Sequence, residues 1–132
     1  MSFEVYTKVI SVLPRHIDEL DHVNNVVYLQ WAQEIAAEHW HYRASPEMRE
    51  KFKWVVLKHE ISYFSPLFLK DEVEIRTQIE GSDGARSVRI VEFFKEGKPV
   101  AKAATEWCLI QATPMKPQRI SDAIVEIFKE DK

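Results

Sequence analysis

One cysteine, Cys108, stands in a chain of 132 residues, so no internal disulfide can form. A chain of that length without disulfides fits a reducing compartment. No apolar run approaches the roughly 18 residues of a membrane-spanning helix. The opening Met1-Ser2-Phe3-Glu4-Val5 brings an acidic residue early and lacks the apolar stretch of a secretory leader, so a cytoplasmic location is expected. Neither sign of charge dominates: 18 Lys and Arg stand against 21 Asp and Glu, for a net charge of −3. That is not the electrostatic footprint of a nucleic-acid binder, although a local basic site can still hold an anionic ligand. Glycine is scarce, with only Gly81, Gly84 and Gly97. None forms a phosphate-binding loop, and no serine sits in a nucleophile elbow. No set of His, Cys, Asp and Glu has metal-site spacing. No metal or cofactor is therefore expected, and neither a nucleic acid nor a membrane is an expected partner.

The rest is ordinary globular material, 45% hydrophobic and 30% charged, without repeats or low-complexity segments. It is expected to fold as one domain over residues 1–132. From Phe3 to Leu13, Phe3, Val5, Thr7 and Val9 alternate with mostly polar neighbours, a strand pattern that Pro14 ends. After a polar stretch, Val27, Trp31 and Ile35 recur at helical spacing with Tyr28, Ala32 and Ala36 beside them. Asn24 or Asn25 caps this helix, which ends near Tyr42 before a Ser45-Pro46 loop. Strand patterns follow over Trp54–Phe64, Glu72–Glu80, Arg86–Lys95 and Val100–Ala112. Ser82-Asp83-Gly84 and Glu96-Gly97 supply turns, and Pro114 and Pro117 close the last strand. Ser121 caps a short final helix carrying Ile124, Ile127 and Phe128. The order predicts an α+β fold, with one long helix on a curved antiparallel sheet. The second sheet face, expected to carry Val, Phe and Trp side chains, calls for a second subunit as its cover.

The segment from Arg15 to Tyr28 concentrates the polar chemistry. Asp18, Glu19, Asp21, His16, His22, Asn24 and Asn25 crowd the entry to the long helix. A helix N-terminus offers free N–H groups and partial positive charge, a place to hold a developing oxyanion. The same residue types are also ordinary caps and turn formers, and residue chemistry alone leaves both readings open. His39 and His41, near the helix end, suit the helix dipole. Cys108 has no activating neighbour and is expected to be a buried thiol.

The run Asp18-x-x-x-His22-Val23-Asn24-Asn25-x-x-Tyr28 resembles the signature of the 4-hydroxybenzoyl-CoA thioesterase-like hotdog enzymes. It is also similar to the His-Val-Asn-Asn segment of plant acyl-ACP thioesterases. Glu60-Ile61-Ser62-Tyr63-Phe64-Ser65-Pro66, then Asp71-Glu72-Val73, resemble that family's strand, proline and acidic turn. Ala103 to Leu109 and Lys116-Pro117 resemble its last strand and closing segment. The likeness runs from about Val5 to Ile120. It implies a hotdog fold: one long central helix wrapped by a curved five-stranded antiparallel sheet, with a short C-terminal helix. It implies hydrolysis of an acyl-CoA or acyl-ACP thioester, coenzyme A being part of the substrate rather than a cofactor. It implies a homodimer or homotetramer with the active site at the subunit interface.

Residue by residue, Asp18 matches the family's catalytic aspartate, which attacks the thioester carbonyl or activates a water. Asn25 and Val26 match the helix start whose backbone N–H groups polarise that carbonyl. His22 and Asn25 match polar positions near the thioester. Asn24, Tyr28 and Glu60 are candidates for substrate contact; the Tyr28 ring also reads as packing, and Glu60 also reads as an exposed or salt-bridged strand residue. Two positions depart from the family: Asp21 and Lys70 stand where glycine is frequent. Asp21 is the alternative catalytic carboxylate, but Asp18 keeps the spacing to the His-Val-Asn-Asn run. The competing functions are a hotdog-type acyl-thioester dehydratase or hydratase, which needs a His–carboxylate proton-transfer pair, and a non-catalytic acyl-thioester binding protein.

Overall fold

A computed structural model describes residues 2–130. The long helix, α1 (Asn25–Arg43), forms where the periodicity predicts, with Asn24 as its cap: the Asn24 side chain accepts a hydrogen bond from the Val26 N–H. Val27, Tyr28, Trp31, Ala32, Ile35, Ala36 and His39 make its buried stripe. Full burial of a side chain such as Ile35 contributes about 1.5–3 kcal/mol. Ser45-Pro46 does not open a loop. It starts a short helix, α2 (Pro46–Lys51), capped by Ser45 with proline in the first turn.

Around α1 curls an antiparallel sheet of β1 (Tyr6–Ser11), β2 (Phe52–Tyr63), β3 (Glu72–Asp83), β4 (Arg86–Lys95) and β5 (Lys98–Gln111), in the order β1-β3-β4-β5-β2. The prolines after β5 do not end the pairing. A two-residue strand, β6 (Lys116–Pro117), returns onto Ile110 and Gln111. α3 (Asp122–Glu126) follows, capped by Ser121. One long helix held in the curve of five long strands is the hotdog architecture. Glu96 and Gly97 turn the β4–β5 hairpin with both φ angles positive, 50° and 78°, the geometry of a tight two-residue connection.

The inner sheet face meets α1 through Val73, Ile75, Val91, Phe93, Ala101 and Ala103. Three expectations are corrected here. In β1 it is Tyr6, Lys8 and Ile10 that turn inward, opposite Thr77, Ile75 and Val73, while Val5 and Val9 are exposed. Register with β3 decides that phase; alternation within β1 fits either face. Both sheet tryptophans, Trp54 and Trp107, lie on the inner face, whose register they share with Leu109 and Ser87. The outer face mixes Val88, Ile90 and Phe94 with Arg76, Glu92, Lys102 and Glu106, so it is not a continuous apolar surface. Cys108, opposite Arg86 on that outer face, is only half-buried. The two free edges of the sheet belong to β1 and β2, and the longer is that of β2. It is twelve residues long, with a bulge between Val56 and Lys58 and exposed Val55 and Leu57.

Candidate active site

The loop before α1 is a small closed hairpin. Ile17 bridges Val23, the Asp18 N–H donates to the His22 carbonyl at 3.1 Å, and the Asp21 N–H donates to the Asp18 carbonyl at 3.1 Å. This last bond closes a turn centred on Glu19 and Leu20. It carries Asp21 into the left-handed region at φ 63°, a conformation that aspartate adopts more readily than most non-glycine residues. Lys70 is likewise left-handed, at φ 71°. Both departures from the family's glycines thus fall at positions where the backbone favours glycine.

Two anchors hold the hairpin on the body of the protein. The Val23 side chain is buried and its N–H donates to the Leu67 carbonyl at 2.8 Å; the Asn24 N–H donates to the His16 carbonyl at 2.9 Å. His16 is the residue whose role sequence reasoning missed. Its Nδ1 accepts the Leu13 N–H at 2.9 Å, and its ring meets Trp31 edge-on. Burial, then the nearby Arg15 charge, pull its pKa below the ordinary value. A neutral imidazole accepting at Nδ1 carries its proton on Nε2.

On this frame the half-buried Asp18 carboxylate accepts the Leu20 N–H through Oδ1 at 2.9 Å. The half-buried His22 ring lies edge-on to Phe68, with Nδ1 at a limiting 3.5 Å from the Val23 carbonyl oxygen. At the helix start the Val26 N–H is taken by Asn24 Oδ1 at 3.1 Å, and the Val27 N–H by the Asn24 carbonyl at 2.9 Å. The Asn25 N–H has no acceptor among the described residues. Capping and a free donor therefore coexist: Asn24 occupies Val26, and Asn25 remains. Tyr63, also missed in the sequence, locks this end in place. Its hydroxyl donates to the Asn25 carbonyl at 2.9 Å, and desolvation, which raises its pKa, keeps it protonated.

Two proposed substrate contacts lie elsewhere. Tyr28 is only 2% exposed and packs edge-on against Trp31, Tyr63 and Phe93. Burial pushes its pKa to about 12. The ring supports α1 from behind. Glu60 pairs with Ala104 on the outer sheet face, while its neighbours His59 and Ile61 turn toward α1, so within one subunit it points away from the helix start. His39 differs too. It is fully buried and its pKa is lowered to about 4, first by burial and then by Arg89, so it brings no charge to the helix dipole. Its contact with Glu4 at 2.7 Å is accordingly a hydrogen bond rather than an ion pair. Among the described residues no group of three or more His, Cys, Asp or Glu side chains could hold a metal ion. No helix among them is long and apolar enough to cross a membrane.

Comparison with known proteins agrees with the fold. An acyl-CoA thioester hydrolase, YbgC of Escherichia coli, is 29% identical over 112 residues, covering 83% of this chain and 82% of that protein. The solved structure of YbaW, a probable thioesterase from Escherichia coli, superposes with a TM-score of 0.82 at 24% identity, over 92% of this chain and 94% of that one. A Thermus thermophilus thioesterase, crystallised with coenzyme A and Zn, superposes with a TM-score of 0.83 at 25% identity, over 97% and 99% of the two chains. The model of the thioesterase-like superfamily matches residues 12–128, nearly the whole chain, and the protein belongs to that superfamily.

Proposed function

We propose that the protein hydrolyses an acyl-CoA thioester to the free acid and the thiol. The observation that carries this reading is the pairing of the Asp18 carboxylate, on a pinned hairpin, with a helix start whose Asn25 N–H has no acceptor among the described residues. Family membership and the acyl-CoA activity named for YbgC support it. Asp18 either adds to the thioester carbonyl or takes a proton from the water that does so. The carbonyl oxygen gains charge as the tetrahedral intermediate forms. The Asn25 N–H donates to it, and the Val26 N–H joins when the oxyanion displaces the Asn24 side chain. Collapse breaks the C–S bond: with Asp18 as base, the acid forms directly and the leaving thiolate takes the proton from Asp18; with Asp18 as nucleophile, the thiolate is protonated by solvent and water then cleaves the acyl–Asp18 anhydride to the free acid. A single donor of this kind is typically worth about 3 kcal/mol of barrier. His22 orients the hairpin against Phe68. An acyl-carrier-protein thioester presents the same reacting group and is the second substrate class to assay.

The working unit is a homodimer in the cytoplasm, and two such dimers pair in the tetrameric form. The long free edge of β2 supports this, because its unpaired backbone N–H and C=O groups are a template for pairing with a second chain. Light scattering through a dilution series tests it: a fully active monomer of 15.5 kDa refutes the dimer.

Hydrolysis of a panel of acyl-CoA thioesters, followed with a thiol-detecting reagent, tests the activity. Asp18→Asn keeps the shape and removes the charge, so kcat falls at least ~100-fold with KM largely kept. Asp21→Asn costs clearly less. An Asp18 variant that turns over like the parent beside a dead Asp21 variant transfers the role to Asp21. No hydrolysis of any thioester by the parent refutes the proposal.

A further inference from the structure

A cavity of about 410 Å³ between the C-terminal half of α1 and the sheet is not used by the chemistry above. It lies within the size range of small-molecule sites. Its first residue on α1, Ala36, is eleven positions beyond Asn25, about 16 Å along the helix axis. Within one subunit it is therefore distinct from the Asp18 hairpin. Trp40, Trp54 and Trp107 wall it with aromatic surface. Arg49, Lys53 and Arg89 also line it, and among the described residues no carboxylate does. The chain has more acidic than basic residues, so a lining with cations alone does not follow from composition.

Several donors on the residues that line this cavity lack an acceptor or a counter-charge among the described residues. Arg89 is buried. Its Nη1 donates to His39 Nδ1 at 2.9 Å and to Thr77 Oγ1 at 3.3 Å, and among the described residues no carboxylate pairs with it. Both of those acceptors are neutral. The next carboxylate along the chain of bonds, Glu4, stands beyond the His39 ring and is held by Arg43. Burial lowers the Arg89 pKa only to about 10, so the guanidinium is charged at neutral pH. A buried charge without a counter-ion is costly. Two further donors, Trp107 Nε1 and Arg49 Nε, are buried with no acceptor among the described residues.

Positive charge, unmatched donors and aromatic walls together define a complementary ligand: an anion that only accepts hydrogen bonds, attached to an apolar body. We propose that this cavity binds an organic carboxylate with an aryl or alkyl body, its carboxylate facing the Arg89, Arg49 and Trp107 donors and its body lying among the tryptophan rings. Guanidinium groups suit a planar carboxylate because their N–H donors match its two oxygens. The proposal goes beyond thioester hydrolysis and does not depend on it, since the test reads binding of a free acid.

The test titrates the whole protein with phenylacetate, with phenylacetamide as the neutral isostere and inorganic phosphate as an anion without an apolar body. Intrinsic tryptophan fluorescence and calorimetry are the readouts. Phenylacetate is expected to change the fluorescence saturably and to bind at least ~10-fold tighter than the amide, the scale of a charged hydrogen bond. Arg89→Met also removes the bonds to His39 and Thr77, so it tests folding as much as binding. Trp107→Phe and Arg49→Gln decide the matter: each keeps most of the wall, and each should weaken phenylacetate about 5- to 10-fold while leaving the amide unchanged. Equal affinity for acid and amide, phosphate binding as tightly as phenylacetate, no binding of the acid, or variants that bind it like the parent would each overturn the proposal.

Discussion

His39 makes stability fall with acid in a way that can be assigned to one side chain. The ring is fully buried between Tyr6, stacked at 4.9 Å, and Phe128, edge-on at 4.9 Å. Arg89 donates to Nδ1 and Nε2 donates to Glu4, so both ring nitrogens are used by the neutral form. A second proton would sit on Nδ1, facing the Arg89 guanidinium. Burial and Arg89 lower the pKa most; Glu4 opposes them and Arg43 adds to the lowering, leaving a value of about 4 against 6.5 for a free histidine. Because the folded pKa is depressed, the unfolded chain takes up the proton first. The contribution is fully present above about pH 6.5 and is lost as pH falls toward 4. At 1.36 kcal/mol per tenfold change in proton affinity, the loss is about 3 kcal/mol. His39→Gln cannot titrate, so its stability should be flatter over the same range by about 3 kcal/mol, whatever its absolute value. Urea unfolding of both proteins at steps from about pH 7 to about pH 4 gives the two curves. His16 and His59, also lowered chiefly by burial, titrate in both proteins and cancel in the difference. Parallel curves would refute the reasoning, and so would an NMR titration showing His39 protonated near pH 6.5.

Lys70→Gly should stabilise the protein by about 0.5–1 kcal/mol, because relief of the left-handed backbone exceeds the entropy cost of glycine. The midpoint of thermal unfolding should rise by about 2–4 °C, and a fall would show that the Lys70 side chain makes a compensating contact. Asn24→Ala removes the cap on the Val26 N–H and should cost about 1 kcal/mol in urea unfolding, with an unchanged value ruling out a capping role. Thioester hydrolysis by Asp18 and backbone donors uses no metal, so the rate should survive exhaustive chelation. Loss on chelation that one added metal restores would contradict that mechanism.

Where the information was local, the sequence by itself determined the structure. The stripe of α1, its Asn24 cap, the Glu96-Gly97 and Gly84 turns, the limits of β4 and the Ser121 cap all rest on neighbours within a few residues. The motif from Asp18 to Tyr28 was legible for the same reason: a hairpin and a helix start are built from one contiguous segment. Even α2 was written there, in a serine followed by a proline at the first helical position. Tertiary structure decided what depends on a distant partner. The inward phase of Tyr6 and Ile10 came from register with β3, and the outward side of Glu60 came from register with β5. Tyr28 could have met a substrate or the core, and Phe93 and Tyr63 chose the core. His39 looked like a cation at a helix end until Arg89, fifty residues away, faced its ring. The cavity with its three tryptophans gathers residues from α1, α2 and four strands. A charge, a face or a pocket assembled from such separations is a property of the packed chain, because burial and register exist only once the strands have paired.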